Sequence, residues 1–395
     1  MPKKLFISAD TQDGILSDKK YQEAQARNPL DLINRWLAAK GSLKLKDKIM
    51  FFRMFSSMIN AGLSIIKIFD ILKDQVSSLK LKIIIESIMK DMKKGRTLSE
   101  AFAVFSDDFS EAEIGVVKSG ESSGKLNEAL TDISVQLEKS ASITKKVKGA
   151  MLYPVIIFII LVGVIMAVMV FVIPNIKDMF ESFDKELPVA TQFLIDFSDF
   201  MIAKSGPLDL MNVFNILGGM ILLFFIINFL KKTPDGKYYW DYFILSLPLF
   251  GSLNKKIVLS KMCRGISTLT GSGIPIVRSL MICADMVGND IYKKRILIIA
   301  EDVKIGLTIG DNIKGDLKFF PPILSSMIAI GEQTAQLDSV SLKIAEFFEE
   351  EVDTSIKNLT TLLEPIIIVV VGLSVGGLVV AIMFPILSLS DLAVA

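Results

Sequence analysis

The chain has no histidine in 395 residues and only two cysteines, Cys263 and Cys283. A Ser-His-Asp triad, a Cys-His pair and any histidine metal ligand are therefore excluded. Two cysteines make neither a structural zinc site nor a disulfide framework, so both are expected to serve as small buried apolar residues. An excess of charge of one sign is missing too. The 44 Lys and Arg face 43 Asp and Glu, a net of +1, which gives no global electrostatic reason to expect nucleic acid as a partner. The opening MPKKLFISADTQDG lacks the apolar core of a secretory signal, and the start of the chain is expected in the cytosol.

What the chain holds in excess is apolar surface: 51% of residues are hydrophobic and the mean hydropathy is +0.51. That balance argues against disorder and for a membrane protein. Spanning a bilayer takes about 20 apolar residues, and three uncharged runs qualify, at 153–173, 213–230 and 366–389. Lys139, Lys145, Lys146 and Lys148 precede the first run, and Lys231, Lys232 and Lys237 follow the second. Between them stand Lys177, Lys185 and Lys204 against Asp178, Glu181, Asp184, Glu186, Asp196, Asp199 and Asp209. The positive-inside rule puts the lysine flanks in the cytoplasm and the acidic stretch outside. By parity the third run leads outward. The expected order is a cytoplasmic segment (1–44), a helical unit (45–150), a span (151–174), an acidic extracytoplasmic loop (175–212) and a second span (213–230). A cytoplasmic linker (231–255), a second helical unit (256–362), a third span (363–389) and an extracytoplasmic tail (390–395) follow. Residues 1–44 are polar, with helix potential at 17–26 and 30–39.

The two hydrophilic stretches repeat each other. A gap-free shift of 211 residues pairs Arg53 with Arg264, Gly62 with Gly273, Gly95 with Gly306, Thr97 with Thr308 and Phe109 with Phe320. It also pairs Gly120-Glu121 with Gly331-Glu332, Leu126 with Leu337, Pro154 with Pro365 and Pro174 with Pro385. The matches fall on turn formers and one acidic residue, where chance would scatter them among Leu and Ile. A tandem duplication is expected.

Within each unit the period is helical. Ile49, Phe52, Met54, Phe55, Met58 and Ile59 give one broad apolar face. Gly62 and Gly273 punctuate after it, and Gly95 and Gly306 end a third helix. Thr97-Leu-Ser-Glu100 reads as a capping box for a short fourth. A fifth helix is expected to end at about Gly120, and a sixth to start near Gly124 and run toward the membrane. The fold class is an all-α membrane protein: two tandemly duplicated cytoplasmic six-helix bundles and three transmembrane helices.

Gly120-Glu-Ser-Ser-Gly124-Lys125-Leu126 fails the spacing of a phosphate loop, and its counterpart Gly331-Glu-Gln-Thr-Ala335-Gln336 loses the second glycine and the lysine. Both are read as helix junctions, with glycine at positive φ and Glu121 or Glu332 meeting exposed amides. The acidic residues from Glu346 to Asp353 lack the spacing of a calcium loop and read as a solvated face or a dock for a basic partner. The apolar runs contain no charged residue, Glu364 standing just before Pro365, which argues against a repeat-built secondary transporter. Gly372 and Gly376 form a GxxxG helix-packing face.

These residues together resemble a known family. FRMFSSMINAGLSI and its echo RGISTLTGSGIPI, GRTLSEAF, GESSGKL, GEQTAQL, KVKGAMLYP and LLEP are similar to segments of the inner-membrane platform proteins of type IV pilus and type II secretion systems, the PilC and GspF-type family. The resemblance covers about residues 45–389. It implies a non-enzymatic protein of the bacterial inner membrane without cofactor or metal. Its partners would be a cytoplasmic hexameric assembly ATPase, pilin or pseudopilin subunits, other inner-membrane alignment proteins, membrane lipid and further copies of itself, with no nucleic acid. The residues it marks are Gly62, Gly95, Gly120, Glu121, Gly124, Leu126, Pro154, Gly273, Gly306, Gly331, Glu332, Leu337, Glu364 and Pro365.

Overall fold

Both hydrophilic stretches become helices in the computed structural model, which describes residues 41–181, 189–205, 210–231 and 233–393. The helix potential at 17–26 and 30–39 lies outside these residues. A first set comprises α1 (Leu45–Asn60), α2 (Ile65–Gln75), α3 (Leu79–Lys93), α4 (Leu98–Ala103), α5 (Glu111–Ser123) and α6 (Leu126–Ala167). The chain continues through a π turn, Val168–Val172, into α7 (Ile173–Glu181), then α8 (Val189–Ile202). A two-residue antiparallel ladder, Lys204–Ser205 with Leu210–Met211, leads to α9 (Asn212–Leu230) and α10 (Pro234–Ser246). The second set is α11 (Phe250–Gly271), α12 (Ile276–Met286), α13 (Asp290–Lys304), α14 (Ile309–Lys314), α15 (Pro322–Gln333) and α16 (Leu337–Ala393).

The same chemistry stops and starts helices at corresponding places. Gly62 and Gly273 take φ of +78° and +81°. The following amides, of Leu63 and Ile274, donate back to Met58 and Leu269, closing α1 and α11 with a left-handed cap. Thr97 caps α4 reciprocally with Glu100, and Thr308 accepts from the Asp311 amide at the start of α14.

The cores use different side chains in one arrangement. The first set buries Phe51, Phe52, Phe55, Phe69, Phe102 and Phe109 against one another. At a shift of 211 the second buries Met262, Cys263, Ile266, Leu280, Ile313 and Phe320. The lost ring volume is replaced by Tyr292, whose hydroxyl donates to the Phe319 carbonyl at 2.9 Å, and by the Phe319 ring edge-on to it. Cys263 and Cys283 are free and buried. Burial pushes both thiols far up, so they stay protonated and unreactive.

Several helices run across the boundaries drawn from the sequence. Pro154 and Pro365 lie inside α6 and α16, so neither helix breaks where an apolar run begins. Pro174 does not end the first apolar helix, which runs on to Glu181. The π turn precedes that proline, where a missing N–H upsets the ladder. Within the stretch at 175–212, α7 and α8 occupy most of the described part. The expected linker at 231–255 instead contains α10 and the start of α11, meeting at 114°. By length and composition, two helical stretches among the described residues are able to cross a membrane, Leu126–Asn175 and Leu337–Gly377. The described apolar part of α9, Gly218–Leu230, is shorter.

One cap is strained. Gly124 follows α5 at φ +75°, and at the corresponding place Ala335 follows α15 at φ +55°. A left-handed L-residue costs roughly 1–2 kcal/mol, partly recovered by alanine's smaller loss of freedom on folding. Ala335→Gly is expected to raise stability by about 0.5–1 kcal/mol, and Gly124→Ala to lower it by about as much. Thermal unfolding of the purified full chain checks both signs.

Candidate functional site

Glu121 sits in the last turn of α5, and its carboxylate reaches the exposed start of α4. One oxygen accepts the Leu98 amide at 2.7 Å; the other accepts the Ser99 amide at 3.0 Å and the Ser99 hydroxyl at 2.8 Å. Glu332 does the same for α14, accepting the Ile309 amide at 2.6 Å and the Gly310 amide at 2.9 Å. A helix N-terminus has unpaired amides and positive dipole, so an anion aimed at it forms charge-assisted bonds. The glutamate therefore caps a neighbouring helix, not the junction it stands in.

The glycines beside them are corrected. Gly120 and Gly331 are not at positive φ; that conformation belongs to Gly62, Gly95, Gly124, Gly273, Gly288 and Gly306. Both instead lie within helices that approach the next helix closely. A Cβ on Gly120 would stand 2.5 Å from the Ala129 Cβ and 3.1 Å from the Leu126 Cα of α6. One on Gly331 would stand 3.2 Å from the Leu337 Cα. Leu126 and Leu337 thus matter as the first residues of the helices packed on these glycines. Pro154, Glu364 and Pro365 lie along α6 and α16, away from the two caps.

The second feature is the junction between the sets. Lys146 of α6 donates to Asp353 of α16 at 2.6 Å, and Lys139 lies 3.4 Å from Glu349. Arg278 of α12 pairs with Glu111 of α5, and the Ser119 hydroxyl donates to the Ser272 carbonyl. Three acids of the α16 run pair inside the chain, since Glu349 also accepts from Arg264 at 2.6 Å and Glu351 accepts from Lys256 at 2.7 Å, while Glu346 and Glu350 are exposed. Among the described residues, no group of three or more acidic or cysteine side chains is placed to hold a metal ion.

The Arg264–Glu349 pair has a counterpart, Arg53–Glu138, at the same shift. The second-set pair is 9% and 12% exposed; the first-set pair is 75% and 40% exposed at 3.9 Å. Sequence reasoning paired the arginines and missed the glutamates, although their spacing of 211 was visible. Behind Arg264 lies a cleft of about 250 Å³, lined by α5 and α6 on one side and by Ser260, Lys261 and Met286 on the other.

The model of the family described as type II secretion system protein F matches this chain twice, over residues 51–174 and 262–385. The chain belongs to the type II secretion system protein F family. Among its relatives, a type IV pilus assembly protein PilC of Thermus thermophilus is 34% identical over 86% of this chain and 82% of its own length. A type IV pilus assembly protein PilC of Pseudomonas aeruginosa is 30% identical over 94% and 98%. A type II secretion system protein F of Vibrio cholerae is 25% identical over 90% and 85%. The two family matches stand 211 residues apart, the shift that relates Glu121 to Glu332.

Lys261 is the misfit of this family member's junction. Burial in the cleft lowers its pKa, and no opposing charge contributes to the shift. A lysine held low when folded destabilises the fold as pH drops below its ordinary range, so at pH 7 a cost is present. Lys261→Met is expected to raise the unfolding temperature by a few degrees at pH 7. The gain should shrink as the pH passes the lysine range, which a pH series of melts measures.

Proposed function

We propose that this chain is the inner-membrane platform of a type IV pilus assembly or type II secretion machine. It couples a cytoplasmic hexameric assembly ATPase to the insertion of pilin or pseudopilin subunits into a growing fibre, and performs no catalysis itself. The observation that carries this reading is the double family match, made to relatives named for pilus assembly and for type II secretion. The two helical sets are repeats of one six-helix bundle, both cytoplasmic by the lysine flanks, with the N-terminus inside and the C-terminus outside.

The geometry suits force transmission. Helix α6 is 42 residues and α16 is 57, about 63 Å and 85 Å long at 1.5 Å per residue. Each begins in a bundle core and continues unbroken into an apolar segment. A displacement applied to a bundle is therefore carried to its span without a joint. Lys146–Asp353 and Arg278–Glu111 link the two bundles at their surface, each pair contributing about 0–1 kcal/mol.

The test is deletion in the native host, with complementation. Loss of surface fibres or of secreted substrate is expected, restored by the full chain and not by residues 1–212 alone. Normal fibres and normal secretion in the deletion strain would sink the reading.

A further inference from the structure

The cleft behind Arg264 holds more positive charge than the chain neutralises. Lys139, Lys261 and Arg264 line it, against Glu113 and Glu349, and both carboxylates are already engaged. Glu113 accepts from Lys48 at 2.9 Å. Glu349 gives one oxygen to the Arg264 Nε at 2.6 Å and has Lys139 at 3.4 Å from the other. Lys261 is left without a carboxylate partner among the described residues. The Arg264 side chain is 9% exposed, and its Nη2 is buried with no hydrogen-bond partner among the described residues. A cation and a guanidinium donor that are withdrawn from water and left unpaired are both costly.

Nothing in the fold requires that arrangement. At a shift of 211 the first set has Ile49 and Met50 in place of Ser260 and Lys261. Met50 packs against the core, so an apolar side chain suits the position. The matching arginine, Arg53, is 75% exposed. Of the two sets, the second alone brings a serine, a lysine and a desolvated arginine to one cavity. Its volume of about 250 Å³ lies just below the range of drug-sized pockets, about 300–1,000 Å³, and admits a small molecule.

We propose that this cleft binds a phosphoryl group, borne by free phosphate or a small soluble phosphate ester and held by Lys261 and Arg264 between the two helical sets. The site stands independently of the pilus or secretion role. Phosphate suits it by charge. A phosphate monoester carries about −1.5 to −2 at pH 7, which answers two unmatched cations where a carboxylate answers one. Its oxygens accept from a guanidinium and an ammonium at once. Ile133, Leu137 and Met286 supply apolar walls, which strengthen those bonds by excluding water. Position favours a soluble ligand over a lipid head group. Ile143, the α6 lining residue nearest the apolar run that starts at Tyr153, stands about 15 Å from it along the helix. The head-group layer is only about 5–8 Å deep. Ile143 also packs with Leu253, Val352 and Leu359 into a buried cluster, which walls off that side.

Equilibrium dialysis of the solubilised full chain against radiolabelled inorganic phosphate tests it, at an ionic strength fixed with chloride. A single saturable site is expected, and Lys261→Met should weaken it about tenfold or more. No saturable binding below about 10 mM, or equal affinity in the two chains, would overturn the proposal. Melts are an independent readout. Without phosphate, Lys261→Met is the more stable chain. Phosphate should raise the wild-type unfolding temperature by a few degrees in a saturable way and that of Lys261→Met far less, so the gap closes. Equal rises in both chains would be a general salt effect and would count against the site. Nanodiscs separate the two sources of phosphate. The response to inorganic phosphate should be the same in phosphatidylcholine and phosphatidylglycerol discs. A Lys261-dependent stabilisation by phosphatidylglycerol alone, with no further response to phosphate, would assign the cleft to a lipid and overturn the soluble ligand.

Discussion

Glu121→Ala lowers the stability of the first helical set by about 3 kcal/mol. Hydrogen bonds to a charged group contribute about 1.5–3 kcal/mol each, and Glu121 makes three, to the Leu98 amide, the Ser99 amide and the Ser99 hydroxyl. They are not additive, and Thr97 still caps the amide of Glu100 after the change. The amides of Leu98 and Ser99 are left without a partner beside two buried side chains. Helix α4 is only six residues long, too short to persist without its ends tied. Glu121→Gln keeps an acceptor but not the charge, and should fall between wild type and alanine. At no more than about 2–4 °C per kcal/mol for a chain of this size, the alanine variant should show a transition lower by several degrees in melts of the full chain. Protease cleavage near residues 98–103 should accompany it. A melt and a cleavage pattern like those of wild type would refute the capping role. Glu332→Ala should do the same to α14 with a somewhat smaller effect, since Gly310 brings no side-chain hydroxyl.

How much of this was legible depends on whether a feature is local in sequence. Caps are local. Thr97 with Glu100 and the glycines at 62, 95, 273 and 306 could be placed on helix ends because each acts on a backbone within a few residues. The 211-residue spacing of the two family matches was legible because the register has no gaps, so one number relates every pair. Three things were hidden. Glu121 caps a helix 22 residues upstream, and nothing in its own neighbourhood names that target. Glu349, Glu351 and Asp353 of α16 find their cations on α6 and α11, as with Asp353 and Lys146, 207 residues apart. Read alone, they look like a solvated face. The asymmetric use of equivalent surfaces, with Ala112 covered and Ile323 open, is a property of how two sets dock, and two similar sequences cannot say which of their faces meets the other.

Gly120 is tight because a neighbouring helix lies against it, not because of its backbone angle. A glycine four residues before another glycine can end a helix or admit a neighbour, and both readings predict harm from valine. The first does so through a left-handed backbone, the second through a collision. Gly120 is helical, and α6 crosses so near that a Cβ there would stand 2.5 Å from the Ala129 Cβ. In an open helix interior Gly→Ala gains about 1 kcal/mol; here the sign reverses, because overpacking a tight site costs about 1–3 kcal/mol. Gly120→Val adds a branched side chain and should cost about 3 kcal/mol or more, prising α5 from α6 and loosening the Glu121 clamp one residue away. Gly331→Ala should be milder than Gly120→Ala, since its nearest atom would be 3.2 Å away and the neighbouring side chains can give. The two causes separate on a second-site change. If the collision is with Ala129, then Ala129→Gly removes the atom struck and should recover most of the stability of Gly120→Ala, despite its own helix cost of about 1 kcal/mol. A backbone held at positive φ would gain nothing from that change. Melts of the two single variants and the double variant decide it, and a double variant no more stable than Gly120→Ala would return the argument to the backbone.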